Sequence, residues 1–321
     1  MKIIVAIKQV PDRDAQVRID AAAKWIEESD IQFALNESDA YALEEALQLK
    51  EKHGGEVIVV SAGPERVGQT IREALAKGAD RAIHVACDDL GTRDALGVAR
   101  LLAAAVKPEN PDLVLTGLQS EDLGLGQTGV ILAELLGLPH ATLILHIDVE
   151  GDAGSSAHIK VKRELEEGWF QEIEMPTPAV LTIQSGGNKL RYATLMGIKR
   201  AKLKEVRTLA ASELGTDAAP VVILERLALP QKQKSTQILP GNAKEAAAAL
   251  VEKLKFEVRV LRAEFLLCKR QAVIAFPSKP WPLDAAWRNS RAFPWRQPLS
   301  ATQMQPCLLS PLGNRLRWPT R

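Results

Sequence analysis

Short, wholly apolar runs alternate with longer segments of helical periodicity over the first 150 residues. Residues 3–7, 57–60, 82–85 and 113–115 are the apolar runs, each of a length and composition that suits a strand buried on both faces. Residues 40–51, 65–76, 94–106 and 128–136 repeat apolar positions at 3.6-residue spacing and predict helices, two of them closed by Gly54 and Gly78. Strands and helices in alternation predict an α/β fold with a doubly wound, mostly parallel sheet.

The period changes after residue 150. Residues 158–165 alternate apolar with charged positions, Glu166-Glu167-Gly168 supplies a turn, and residues 169–175 alternate again, which predicts an added β-hairpin. Pro176 and Pro178 stop the return strand, and residues 179–183 read as one more buried strand. Beyond Arg191 a basic stretch, Lys199, Arg200, Lys202, Lys204 and Arg207, leads into a proline-marked arm over 220–240 and a helix over 243–253. The arm carries Val221-Val222-Ile223-Leu224 but too little apolar surface to fold alone, so it is expected to lie on a partner or on the body. Residues 277–321 hold eight of the 18 prolines and four of the 6 tryptophans with neither periodicity, so 262–321 is expected to be a disordered tail.

Charge sharpens that division. The formal net charge of +1 hides a basic tail, in which nine Lys and Arg beyond Phe265 face the single acid Asp284, and a body that is correspondingly acidic. An acidic body argues against general nucleic-acid binding. Cys87, Cys268 and Cys307 lie far apart without CxxC spacing, and the five histidines form no HxxxH or HExxH pattern, so neither a disulfide framework nor a metal site is expected. No apolar run approaches the ~20 residues that cross a bilayer, and the N-terminal run is too short for a signal peptide. The expectation is a soluble chain without membrane insertion, cytoplasmic, or in the mitochondrial matrix if the source is eukaryotic.

Candidate chemistry sits where an open parallel sheet binds ligands, outside the carboxyl ends of its strands. Ala6 ends the first strand, Ala62 the second, and Gly117 to Thr128 follow the fourth, while Asn36, Glu37, Ser38 and Asp39 precede the first long helix and fold over the same edge. Small residues there let a ring approach the backbone. The run Gly124-Leu125-Gly126-Gln127-Thr128-Gly129 leads into a helix N-terminus, whose free N–H groups favour phosphate. It also matches GxGxxG, but it follows the fourth strand after a long loop, whereas a dinucleotide fold needs it tight against the first. Ser185-Gly186-Gly187 reads as an ordinary turn, and Glu166-Glu167 as a solvated one. No Ser/His/Asp ordering, HExxH or P-loop lysine is present, so no catalytic set is assigned.

The segment VKRELEEGWFQEIEMPTPAVLT at 161–182, followed by RYATLMGIKRAK at 191–202, resembles the signature and the docking loop of the electron-transfer flavoprotein β-subunit family, and a looser likeness runs from Met1 to about Leu261. The resemblance implies a sheet of the adenine-nucleotide α-hydrolase-like type, divided into a nucleotide-binding domain over 1–190, a docking loop over 191–204, and an arm over 205–261 that packs on an α-subunit. It implies AMP contacted by Ala6, Asn36, Glu37, Ser38, Asp39, Ala62, Gly117, Leu118, Gln119, Ser120, Glu121, Asp122, Leu123, Gly124, Leu125, Gly126, Gln127 and Thr128. It also implies FAD held mainly by the α-subunit, with Arg163 and Glu164 facing it. Tyr192, Thr194, Leu195 and Met196 would dock flavin dehydrogenases such as acyl-CoA dehydrogenases, Leu195 being the anchor, and electrons would pass on to a quinone-linked oxidoreductase. Two alternatives stand beside this. One is a universal-stress-type nucleotide-binding protein, which has no need of the hairpin and loop. The other is a bifurcating electron-transfer flavoprotein subunit with a second FAD and NAD.

Overall fold

The computed structural model describes residues 1–151, 158–215, 219–230 and 236–258. The tail over 262–321 lies outside the described residues, as does part of the arm. In chain order the first elements are β1 (Lys2–Ala6), β2 (Gln9–Pro11), β3 (Phe33–Leu35), α1 (Glu37–His53), β4 (Glu56–Gly63), α2 (Val67–Lys77) and β5 (Arg81–Ala86). They are followed by α3 (Ala95–Val106), β6 (Leu113–Gly117), α4 (Thr128–Leu136), β7 (His140–Glu150), β8 (His158–Glu164), β9 (Phe170–Pro176) and β10 (Ala179–Ile183). Next come α5 (Leu195–Ala201) and β11 (Val206–Ala210), and then α6 (Ala243–Phe256).

Nine strands form one sheet in the order β11-β5-β4-β1-β6-β10-β7-β8-β9. Every pair from β11 to β7 is parallel, and β7-β8-β9 closes that side as an antiparallel extension. The fold class expected from the apolar runs is therefore the one observed. Its cause is visible residue by residue along β1. Ile3 and Val5 pack with α1 and α2 on one face, while Ile4 and Ala6 pack with α3 and α4 on the other. Ile3, Ile4, Ile58, Ile83, Leu113 and Leu115 are fully buried, each contributing about 2 kcal/mol.

Three features differ from the sequence reading. Helix α1 starts at Glu37 rather than residue 40, because Glu37 and Asp39 are acids that suit a first helical turn. The segment read as a docking loop contains the short helix α5, which Thr194 caps by accepting a hydrogen bond from Gly197 N. Strand β11 extends the sheet beyond residue 204, where the arm was expected to begin. As a half-exposed edge strand pairing only with β5, it lacks the apolar run that marks the interior strands. The three-residue strands β2 and β3 pair with each other and are too short to show a period.

The first compact unit runs from Met1 to Lys232 and the second begins at Gln233. In the second, α6 opens on a capping box in which Asn242 and Glu245 exchange side-chain and backbone hydrogen bonds. Among the described residues no helix is long and apolar enough to cross a membrane.

Candidate functional site

Asp39 joins the ends of two central strands. Its carboxylate accepts from Lys8 N (2.7 Å), just past β1, and from Gly117 N (2.8 Å), the last residue of β6. Burial pushes this carboxyl up to about 7, against the opposing pull of the two N–H donors and of Asn36 and Lys8. Gly117 must be glycine here, since a Cβ would overlap Ser38 Oγ and the Asp39 carboxylate.

The loop after β6 is laced to the start of α1. Asn36 donates to Ser38 Oγ (3.0 Å) and to Gln119 O (3.1 Å), and accepts from Glu121 N (3.0 Å). Ser38 donates to Gln119 O (2.6 Å). Lys8 Nζ reaches Asp122 (2.7 Å) and Ser120 Oγ (3.3 Å); burial pushes Asp122 up, but the charge and hydrogen bond of Lys8, with the hydrogen bonds from Ser120 and Leu123 N, together hold it below the usual carboxylate range. Arg13 bridges Glu37 and Glu121. The result is an open cleft of about 170 Å³ lined by Glu37, Ser38, Leu118, Gln119, Glu121, Gln184 and Ser185. That is smaller than a typical closed ligand cavity of ~300 Å³ or more, so anything bound here lies in an open groove.

The chain then turns toward α4. Gly124 and Gly126 both take left-handed φ of 62°, with Gly124 N donating to Ser120 O (2.9 Å). Leu123 and Leu125 point to solvent, and Gln127 supplies no side-chain cap to α4. The first-turn N–H groups of α4 therefore lack a capping acceptor from that side chain. Ala6 is buried at the end of β1, and Ala62 stands at the same edge one strand over.

Two further groups lie apart from the cleft. On β8, Arg163 pairs with Ile144 of β7, so it sits two strands from β10, roughly 10 Å along the sheet. Among the described residues its Nε is buried with no hydrogen-bond partner, and so is Thr182 Oγ1 on β10. Beyond Arg191, Tyr192 is 92% exposed and Leu195 80%, with Met196 and Leu203 also open to solvent. Leu195 is thus no core residue. Cys87 is not a reactive thiol, because burial and then Asp89 push it up to about 11.

Comparison with known proteins bears on this arrangement directly. The family model described as the electron transfer flavoprotein domain matches residues 24–214. The chain is 39% identical over 260 residues to the electron transfer flavoprotein subunit beta of Methylophilus methylotrophus, covering 78% of this chain and 97% of the relative. It is 35% identical to the mitochondrial electron transfer flavoprotein subunit beta of Oryza sativa subsp. japonica and 33% identical to the electron transfer flavoprotein subunit beta of Bacillus subtilis (strain 168), in each case over 81% of this chain and all of the relative. The chain belongs to the electron transfer flavoprotein β-subunit family.

Within this family member, the residues named for a nucleotide fall into two groups. Asn36 to Asp39 and Gly117 to Asp122 are knitted together by four hydrogen bonds, and Leu123 to Thr128 continue along the same edge. An adenine nucleotide fits the donor set. The α4 N-terminus suits an anion, and left-handed Gly124 and Gly126 bring backbone rather than side chain to the surface there. Among the described residues Arg163 Nε remains a buried donor without an acceptor. Sequence reasoning missed Lys8, Arg13, Gln184 and Ser185. For Gln184 and Ser185 a signal existed, since they follow β10 directly and so arrive at the same edge as the loop after β6.

Proposed function

We propose that this chain is the β-subunit of a heterodimeric electron-transfer flavoprotein. It binds AMP in the groove between α1 and the loop after β6, and covers one side of FAD held mainly by an α-subunit. It accepts electrons from flavin dehydrogenases such as acyl-CoA dehydrogenases and delivers them to a quinone-linked oxidoreductase. The FAD supplies the redox chemistry when bound, and the protein supplies position and charge.

The observation that carries this reading is the coexistence, on one chain of this family, of a stitched nucleotide groove and an exposed apolar helix. Leu195, Met196 and Tyr192 stand out from α5 and its leading segment, and singly exposed apolar anchors of this kind are what a partner's pocket recognises. Arg163 offers a positive charge on the extension β7-β8-β9, where it would stabilise a reduced, negatively charged ring. Glu164, its neighbour, is half-exposed beside it.

Co-expression with the α-subunit tests the whole reading. A yellow one-to-one complex is expected, and heat-denaturing it should release FAD and AMP in equal amounts. Two equivalents of FAD without AMP would favour the two-flavin form, and a chain that purifies alone with no flavin-bearing partner would end the proposal.

A further inference from the structure

The segment over 192–203, most of it exposed, is held at both ends by hydrogen bonds to α1 and α2. At its start Arg191 forks onto Glu44, with Nε to Oε2 at 2.8 Å and Nη2 to Oε1 at 3.0 Å, and Nη1 reaches Glu51 Oε1 at 2.6 Å. The Arg191 backbone N also donates to Glu44 (3.2 Å), and Asn188 just upstream donates to Glu45 (3.0 Å) and to Tyr41 O (3.3 Å). Four residues of α1 thus grip residues 188–191.

The far end is gripped by α2. Arg72 donates to Ala201 O (2.7 Å) and Lys204 O (3.1 Å), and Lys204 Nζ donates to Leu75 O (3.0 Å) and Ala79 O (2.5 Å). Between the two grips Gly197 lies so close to α2 that a Cβ would overlap the Ala76 carbonyl.

A surface ion pair is ordinarily weak, but this one is not an ordinary surface pair. Glu44 is only 4% exposed and the guanidinium meets it through two parallel N–H bonds, the strongest geometry such a pair has. Burial alone would push Glu44 up, and Arg191 together with the hydrogen bond from Gln48 more than offsets this, bringing it below the usual range. Glu51 is lowered too, chiefly by its hydrogen bond from Arg191.

Stability gives no reason to hold exposed apolar side chains still. Docking does, because a partner then need not bear the entropy of ordering them. We propose that Arg191, gripped by Glu44 and Glu51, is a positioning residue for partner docking that fixes Tyr192, Leu195 and Met196 in their binding arrangement before the partner arrives. This rests on the docking role given to α5 above.

The test uses the complete flavoprotein as the electron acceptor of a purified acyl-CoA dehydrogenase, with KM and kcat measured for each variant. Leu195→Ala calibrates the docking contact and should raise KM about thirtyfold. Arg191→Lys keeps the charge but loses the fork, and should raise KM about tenfold while kcat stays within about twofold. Glu51→Gln alters an exposed carboxylate, so folding is not at risk, and should raise KM about threefold. If Leu195→Ala raises KM while Arg191→Lys and Glu51→Gln leave it unchanged, the positioning role is overturned and the docking role survives. If Leu195→Ala itself leaves KM unchanged, the docking role falls and this inference falls with it. A lower melting temperature with normal KM in the folded Arg191→Lys protein also overturns it, as does failure of Arg191→Lys to fold together with a normal KM for Glu51→Gln.

Discussion

At the scale of single residues, Asp39 does most to define the groove, since its carboxylate is shared between the ends of β1 and β6. Its pKa is raised on folding, so the free energy it contributes is fully present below the unfolded value near 3.8 and declines as pH rises through about 7. Stability of the wild type relative to Asp39→Asn should therefore fall between pH 4 and pH 7 and level off above. Urea midpoints of both proteins across that range check this, and a constant difference would show the carboxyl is not held up. Gly126 makes a separate point. Its φ of 62° strains any side chain, Asp less than most, but a Cβ there meets nothing closer than Leu118 O at 3.6 Å. Gly126→Asp should lower stability by only about 1 kcal/mol through its positive φ, while a new carboxylate competes with phosphate for the α4 N–H groups. Nucleotide released from the denatured variant, measured against wild type, should drop at least tenfold, a loss of ~1.4 kcal/mol or more. Of these details the sequence shows the glycines and the acid, since both stand beside helix starts. It does not show that Asp39 spans 31 and 78 residues to reach its donors, because no local pattern records a contact at that separation.

At the scale of elements, legibility follows burial. Strands β1, β4, β5, β6 and β10 are read from their apolar runs because both faces are covered. Strand β11 is not, because an edge strand in half contact with water can be written in basic and polar residues. Helix α5 was hidden for another reason. Seven residues give no periodicity to speak of, and its only local signal is Thr194 three positions before Gly197. What keeps α5 in place is its close approach to α2, and this gives a test. Gly197→Ala must push the two helices apart, an overpacking strain of about 1–3 kcal/mol. Its melting temperature should fall by several degrees, whereas Gly186→Ala nearby, where a Cβ meets nothing, should pay only the smaller cost of its positive φ.

At the scale of the whole molecule, apolar surface is left uncovered in several places among the described residues, three of them prominent. Val221, Val222 and Ile223 of the arm are exposed although Asp94 fixes the first two through their backbone N–H groups (2.7 and 3.0 Å). Trp169 and Phe170 stand out at the turn between β8 and β9, and Tyr192 and Leu195 at α5. A chain with this much apolar surface should self-associate when produced alone and become monodisperse when co-expressed with an α-subunit. Sedimentation of the two preparations decides the matter, and a monodisperse isolated chain would show that no partner is needed to cover these patches.

The position of β10 has a consequence for how the chain comes to be folded at all. Strands β7, β8 and β9 can pair with one another as soon as they are made, because each is joined to the next by a local connection. The inner edge of β7, however, faces β6 only through β10, which is synthesised last of the four. Until β10 slides between them, the first half of the sheet and the antiparallel extension are two separate pieces with open edges. Gln184 and Ser185 are also missing from the groove until then, so ligand binding would report that β10 has been seated. Contacts of such long sequence separation form late. In pulse-labelled refolding, the amides of β10 should gain protection after those of β8 and β9, at the moment when nucleotide begins to protect the chain from proteolysis.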